Sequence, residues 1–286
     1  GYDAEARKTI KHAWKAGPET VALRRQLEAM KDGGVFAISI PMAPFRCPPA
    51  PYERVSLIAN YFKKAKPRSK ILILDGNQDI ISKKALFTTA WEKHYGFGGD
   101  DSMIDYRPGN LASAIDAKAM KLSTEFEDVK ADVVNLIPPM RAAAVTALVG
   151  ARTGDNGTWC PVDHTTHESS EAPHIHILGD SILSNLSKAG ALANNSGKLC
   201  ASALVEIFNG RRPDPARPHP ARLRRRPVVE PLRRGLVVGT YGRLASARRG
   251  SGRRHRRAVP DAAGACGRNP GRARLPRGRR HQRSLR

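Results

Sequence analysis

Cys47 stands where sulfur chemistry is easiest to arrange. It follows the apolar run Val35-Phe-Ala-Ile-Ser-Ile40 and lies beside Arg46, in a loop stiffened by Pro41, Pro44, Pro48, Pro49 and Pro51. A helix is predicted to open at Pro51. A neighbouring cation and a helix amino end both favour thiolate, the nucleophilic form of the side chain. Structural cysteines prefer apolar elements, so the loop position favours a reactive thiol while leaving the packing role open. Glu53, in the first turn of that helix, has two readings. It is a proton acceptor for the thiol, or an acid placed there by the helix dipole, and position alone favours the second.

A second constellation is His174-Ile-His-Ile-Leu-Gly-Asp180, an apolar stretch closed by Gly-Asp and followed by a helix rich in small residues. An Asp at the carboxyl end of a strand can accept hydrogen bonds from ribityl hydroxyls, and the next helix offers its amino end to an anionic group. Gly179 and Asp180 are therefore candidate flavin contacts. Ala189, Gly190, Ala191, Ala193 and Gly197 would let a flat ring approach, or equally let another backbone pack closely. His174 and His176 share a strand face near His164 and His167, yet no third or fourth ligand is evident, so packing is preferred to a metal site. No GxGxxG, GxSxG or phosphate loop is present.

Those residues must be held by elements. Val21, Leu23, Leu27 and Met30 fall at helical intervals between Pro18 and Asp32, with Gly33-Gly34 as the stop. The runs at 35–40, 70–75 and 132–137 read as strands buried on both faces, the first two joined through a helix over 51–64 as a parallel crossover. Ser82 is the expected cap of a helix over 83–95. Short strands are expected near 103–106 and 118–122, a short helix at 141–149, a strand at 174–178 and a long helix at 188–208. The fold class is α/β, with 35–40, 70–75 and 132–137 in one sheet and 174–178 outside it.

Charge divides the chain. The 286 residues carry 49 Lys and Arg against 26 Asp and Glu, but from Arg211 onward there are 24 Arg, no Lys and three acids. That segment shows no period of 2 or 3.6 and cannot bury enough apolar surface to fold. It reads as an Arg-rich nucleic-acid arm, a disordered tail or, the preferred reading, GC-rich coding sequence translated out of frame. No apolar run approaches the roughly 18 residues of a membrane span. The four cysteines include no CxxC pair, and no secretory signal precedes Gly1, which suggests a mature or truncated start.

Six stretches together resemble one family: Ala13-Trp-Lys-Ala-Gly-Pro-Glu-Thr20, Phe45-Arg-Cys-Pro-Pro-Ala-Pro-Tyr-Glu-Arg54, Lys70-Ile-Leu-Ile-Leu-Asp75, Asn135-Leu-Ile-Pro-Pro139, Trp159-Cys-Pro-Val-Asp163 and His174-Ile-His-Ile-Leu-Gly-Asp180. The family is the flavoprotein subunit of flavocytochrome c sulfide dehydrogenase, and the resemblance covers residues 1–210. It implies a Rossmann-like FAD/NAD(P)-binding fold of the two-domain, glutathione-reductase type. Residues 1–150 would be the second Rossmann-like domain, 151–210 the carboxyl-terminal part of the FAD domain, and 211–286 the irregular or frameshifted tail.

The same resemblance implies FAD as cofactor, sulfide as substrate and a haem-bearing cytochrome c subunit as periplasmic partner, with no nucleic acid and no membrane span. Cys47 would be one member of a redox disulfide and Glu53 the acid following the Cys-Pro-Pro motif. Gly179, Asp180, Lys188, Gly190, Asn194, Pro138 and Pro139 would lie at the flavin. Three departures stand out. The family's FAD phosphate half would precede Gly1, the second redox cysteine is not matched by Cys266, and residues 181–187 differ from the family pattern. The expectation is an incomplete fragment without activity of its own. Two rivals remain: a sulfide:quinone oxidoreductase relative, and an Arg-rich nucleic-acid-binding protein.

Overall fold

The computed structural model describes residues 1–152 and 157–213. The chain divides into two units, Gly1–Arg226 and Pro227–Arg286, and the described residues all fall in the first. The Arg-rich segment from 214 on, Cys266 and the expectation of an irregular tail lie outside them.

In chain order the elements are α1 (Ala6–Thr9), α2 (Pro18–Ala29), β1 (Val35–Ile40), α3 (Ala50–Ala65), β2 (Lys70–Asp75), α4 (Lys84–Tyr95), β3 (Ile104–Arg107), β4 (Ala114–Asp116), β5 (Lys121–Ser123), β6 (Asp128–Lys130), β7 (Val133–Leu136), α5 (Ala144–Leu148) and α6 (Gly190–Phe208). The expected sheet is present, with order β3-β2-β1-β7 and every pairing parallel. Its inner strands are apolar on both faces because both are covered. On one face Phe36, Ile38, Ile40, Ile71 and Ile73 pack against Leu23, Leu27, Tyr52, Val55, Phe62 and Trp91. On the other, Ala37, Leu72, Leu74, Val134 and Leu136 pack with Ile10, Leu122 and Val129. Each such side chain contributes about 1.5–3 kcal/mol of burial. The architecture is mixed α/β with a parallel, Rossmann-like sheet.

Four local expectations are corrected. The strand expected at 118–122 is β5, the middle of an antiparallel sheet β4-β5-β6 whose three-residue flanking strands are too short to show alternation. Ser82 does not cap α4, because Lys83 turns left-handed (φ 56°) at the cap position and the helix starts without a side-chain cap. The helix at 141–149 shrinks to α5, since Ala142 gives its N–H to Thr158 and Ala143 is extended.

The fourth correction is larger. Residues 174–178 form no strand: one isolated bridge pairs Glu168 with His176, the Ser169 N–H donates to the Ile175 carbonyl and the Ile177 N–H to the His167 carbonyl, without a continuous ladder. Among the described residues no strand lies beside them, and a lone strand leaves its backbone donors and acceptors unpaired. They run as extended loop over a third apolar cluster that includes Ala142, Trp159, Cys160, Val162, Ile177 and Ile182.

Candidate functional site

Cys47 is held in a left-handed backbone conformation (φ 60°), which is costly for a residue with a Cβ. Two hydrogen bonds fix it. Its N–H donates to the Lys188 carbonyl at 2.7 Å, and its own carbonyl accepts the Ala50 N–H at 2.9 Å. The thiol is half-buried, and burial pushes its pKa up, with the Glu53 carboxylate adding to the rise. Arg46 and the Ala50 N–H pull the other way and lose. The expectation of a favoured thiolate is therefore corrected. Arg46 is exposed and spends one guanidinium nitrogen on the Trp14 carbonyl, whose indole N–H returns a 3.3 Å bond to the Arg46 carbonyl. Cys47, Cys160 and Cys200 are free thiols in the structure.

Lys188 lies outside α6, in the loop before it, and is 4% exposed. Its ammonium donates to the carbonyls of Asp180 at 2.9 Å and Ile182 at 3.0 Å, and sits 3.6 Å from the centre of the Trp159 ring. Burial lowers its pKa, and Asp180 partly offsets that. One oxygen of Asp180, Oδ1, is buried without a hydrogen-bond partner. An unpartnered buried acceptor costs roughly 1–3 kcal/mol, so such an atom calls for a donor from a bound group.

A cavity of about 470 Å³ opens between these parts, lined by Pro138, Met140, Trp159, Asp180 and Lys188, with Arg7, Lys15, Arg46 and Arg141 among its other walls. The size suits one ring system. Asp180 is the one carboxylate among its lining residues, against several cations. The first turn of α6 carries no acid and no side-chain cap, which leaves its N–H groups available to an anionic group. At Gly179, φ is +65° and an added Cβ would come within 2.8 Å of the Ala193 Cβ, so only glycine is tolerated in that turn.

Of the expected site residues, the structure brings Pro138, Asp180 and Lys188 onto one wall and puts Gly179 in the adjoining turn. Cys47 and Glu53 do not line the cavity; Cys47 is tied to that wall by its bond to the Lys188 carbonyl, and Glu53 acts on its thiol electrostatically. Pro139, Gly190 and Asn194 are exposed and do not line the cavity. Sequence reasoning passed over Met140, Arg141 and the amino-terminal segment. The signal for the last was Asn135, a polar residue in an apolar strand. Fully buried, it gives its amide to the carbonyls of Lys11 and His12 at 2.6 and 3.0 Å and accepts from Arg54 at 2.7 Å. Those bonds carry residues 11–14 across the sheet end to the cavity. His176 is bonded to the Thr166 carbonyl, while the His174 side chain is exposed, 3.8 Å from Glu168.

Residues 20–138 match the family model for the central region of the sulfide dehydrogenase (flavocytochrome c) flavoprotein chain. The matched segment runs from α2 to the cavity wall at Pro138. Among solved structures, a chain of the Tetrahymena thermophila mitochondrial ATP synthase assembly is 15% identical, covering 71% of this chain and 49% of that one at a TM-score of 0.49. Bacillus anthracis CoADR-RHD is 14% identical, covering 72% and 35% at 0.47. A Desulfovibrio vulgaris FAD-dependent pyridine nucleotide-disulphide oxidoreductase is 16% identical, covering 68% and 50% at 0.40. This chain spans half or less of the length of each. Scores this low add no weight to the observed sheet and the family match.

Proposed function

We propose that this chain contributes to an FAD-dependent oxidoreductase of the periplasm. Cys47 relays electrons from sulfide toward the flavin, and a cytochrome c subunit takes them onward. The observation that carries the reading is the wall on which Asp180, with its unpartnered Oδ1, meets Lys188, whose carbonyl holds the Cys47 N–H. It has a thiol on one side and, on the other, a cavity of ring-system size backed by Trp159 and Pro138. The family match over residues 20–138 supports the same reading.

The residues fit such a cofactor. Asp180 Oδ1 would accept from a ribityl hydroxyl, Lys188 would bring positive charge to the ring, and the head of α6 at Gly190, with Asn194 one turn along, would face an anionic part. Gly179 gives the turn its close approach, and Pro138 lines the same cavity. When bound, FAD accepts an electron pair and yields it one electron at a time to a haem carrier.

The chain's own work is nucleophile and proton handling. Oxidising HS⁻ to the zero-valent level releases two electrons and one proton. With Cys47 oxidised as a disulfide to a second cysteine of the complete flavoprotein, sulfide attacks Cys47 Sγ, forming a persulfide there and expelling the second cysteine as a thiolate, which leaves with the electron pair. Glu53, whose carboxylate acts on the Cys47 thiol, takes the proton. In the FAD-loaded flavoprotein carrying this segment, sulfide should bleach the flavin band. Cys47→Ser should abolish that bleaching with FAD still bound, and a Cys47→Ser protein that bleaches at the parent rate would refute the relay.

A further inference from the structure

Lys188 acts on both sides of the wall at once. Its side chain is tied to the turn that carries Asp180, while its main chain is tied to Cys47. The side-chain tie has three parts, the two carbonyls of Asp180 and Ile182 and the face of Trp159, so the ammonium's hydrogen-bonding capacity is used inside the protein. The main-chain tie is the 2.7 Å bond that holds Cys47 in its left-handed conformation. An αL residue with a side chain is strained and persists only where its surroundings over-determine it. On one flank that surrounding is the Ala50 N–H; on the other it is the Lys188 carbonyl.

The carbonyl is only as fixed as the loop that carries it. Residues 183–187 are largely exposed, and the helix starts only at Gly190. Leu183 is pinned through its N–H to the Cys160 carbonyl at 2.7 Å, and after it Lys188 is the buried anchor before the helix. Without the side chain, the stretch from 184 to 189 loses that anchor, and the hydrogen bond to Cys47 loses its fixed acceptor.

We propose that Lys188 is a positioning residue that sets the conformation and solvent access of the Cys47 thiol by locking the 184–189 loop against Asp180, Ile182 and Trp159. The inference rests on reading Cys47 as the working thiol, but its test does not. The charged groups acting on that thiol are Arg46 from the same loop, Glu53 from α3 and Asp180 from the Gly-Asp turn; burial, reinforced by the two carboxylates, outweighs Arg46 and the Ala50 N–H and raises the thiol above the ordinary cysteine range. Loosening the lock admits water and returns the thiol toward ordinary behaviour.

The test is the pH profile of iodoacetamide alkylation at each cysteine of the 286-residue chain, followed by peptide mass spectrometry. In the parent chain Cys47 should react slowly at pH 7.5, with its rate rising only at alkaline pH. Lys188→Ala should shift the Cys47 profile to lower pH and raise its rate at pH 7.5 severalfold. Lys188→Met, which keeps a long apolar side chain but no ammonium, should do the same more weakly. Lys188→Arg, with a cation that can reach the same carbonyls, should restore the parent profile. Buried Cys160 and Cys200 serve as internal controls for unfolding and should stay unreactive throughout.

An unchanged Cys47 profile in Lys188→Ala would overturn the proposal. So would equal gains in reactivity at Cys47, Cys160 and Cys200, which mark general loosening, or an Arg variant no better than Ala. A shifted Cys47 profile combined with a Cys47→Ser flavoprotein that still bleaches with sulfide would leave the positioning role standing and refute the relay.

Discussion

Two carboxyl groups sit at equivalent kinds of place, at the ends of apolar stretches, and are treated in opposite ways. Asp75 ends β2 and is fully enclosed. It accepts from the Tyr52 hydroxyl at 2.7 Å, the Tyr106 hydroxyl at 3.1 Å, and the Asn77 N–H and amide at 2.9 and 2.8 Å. Asp180 closes the stretch at 174–178 and keeps one buried oxygen without a partner. Among the described residues the buried unpartnered atoms are on Gln26, Arg152, His167, Asp180 and Ser202, and all but the first lie beyond residue 150. The parallel sheet is thus internally satisfied, as a scaffold must be, whereas the region around Asp180 keeps hydrogen-bonding capacity in reserve for something it binds.

The position of Asp75 sharpens this contrast. In a parallel crossover fold, the acid ending the second strand is where a dinucleotide ribose would be held. Here two tyrosines and an asparagine occupy it. The tyrosine hydroxyls are pushed far above their ordinary range, by burial first and the adjoining carboxyl second, so they remain donors. The loop after β1 adds prolines in place of glycines. The same geometry that could cradle a nucleotide instead anchors Tyr52, and with it the first turn of α3 where Glu53 stands.

The comparison breaks most visibly under truncation of the two acids. Asp75→Ala strands two tyrosine hydroxyls and the Asn77 amide, and should cost about 3–5 kcal/mol in urea unfolding. Asp180→Ala removes an unpartnered buried acceptor, and the unliganded chain should be no less stable than the parent, gaining up to about 1–3 kcal/mol. Equal costs would show that the two sites are not different in kind. Next in size is Gly179→Ala, where the φ of +65° and the 2.8 Å approach to Ala193 should cost about 1–3 kcal/mol by the same measurement. Tyr52→Phe follows, with about 1–2 kcal/mol expected for one lost hydroxyl donor to Asp75.

The smallest effect is a pH dependence. Burial lowers the pKa of His167, whose Nδ1 has no partner, and of His12. The unfolded chain's histidines titrate near 6.5, so below about that pH unfolding takes up protons and stability falls. The melting temperature should drop between pH 7.5 and 5.5, and His167→Gln should flatten that slope. A slope that is unchanged by the substitution would assign the acid sensitivity elsewhere.

The sheet was legible because its strands need no partner information: continuous β-branched runs such as 35–40 and 70–75 mean burial on both faces, and the 51–64 helix between them forces a parallel crossing. Positions whose form depends on distant residues were not legible in this way. The stretch at 174–178 has strand composition, but a strand exists only beside another. Ser82 has the chemistry of a cap, but Lys83 turns the chain before it can serve. At the candidate site, Cys47 and Asp180 were picked out by type and motif and Lys188 by the family resemblance. The burial that raises the Cys47 thiol, and the rerouting of Arg46 to Trp14, could be seen only once residues 11–14 had been folded across the sheet end.

The central claim is that the cavity walled by Trp159, Asp180 and Lys188 takes the flavin through the unpartnered carboxylate oxygen. The measurement that addresses it most directly is an FAD titration of the 286-residue chain and its Asp180→Ala variant by flavin fluorescence, with matched circular dichroism. The account predicts saturable binding that weakens at least about tenfold in the variant, the loss expected when a bound hydroxyl's buried acceptor is removed, while the fold is unchanged. Equal affinity in the two proteins would contradict it.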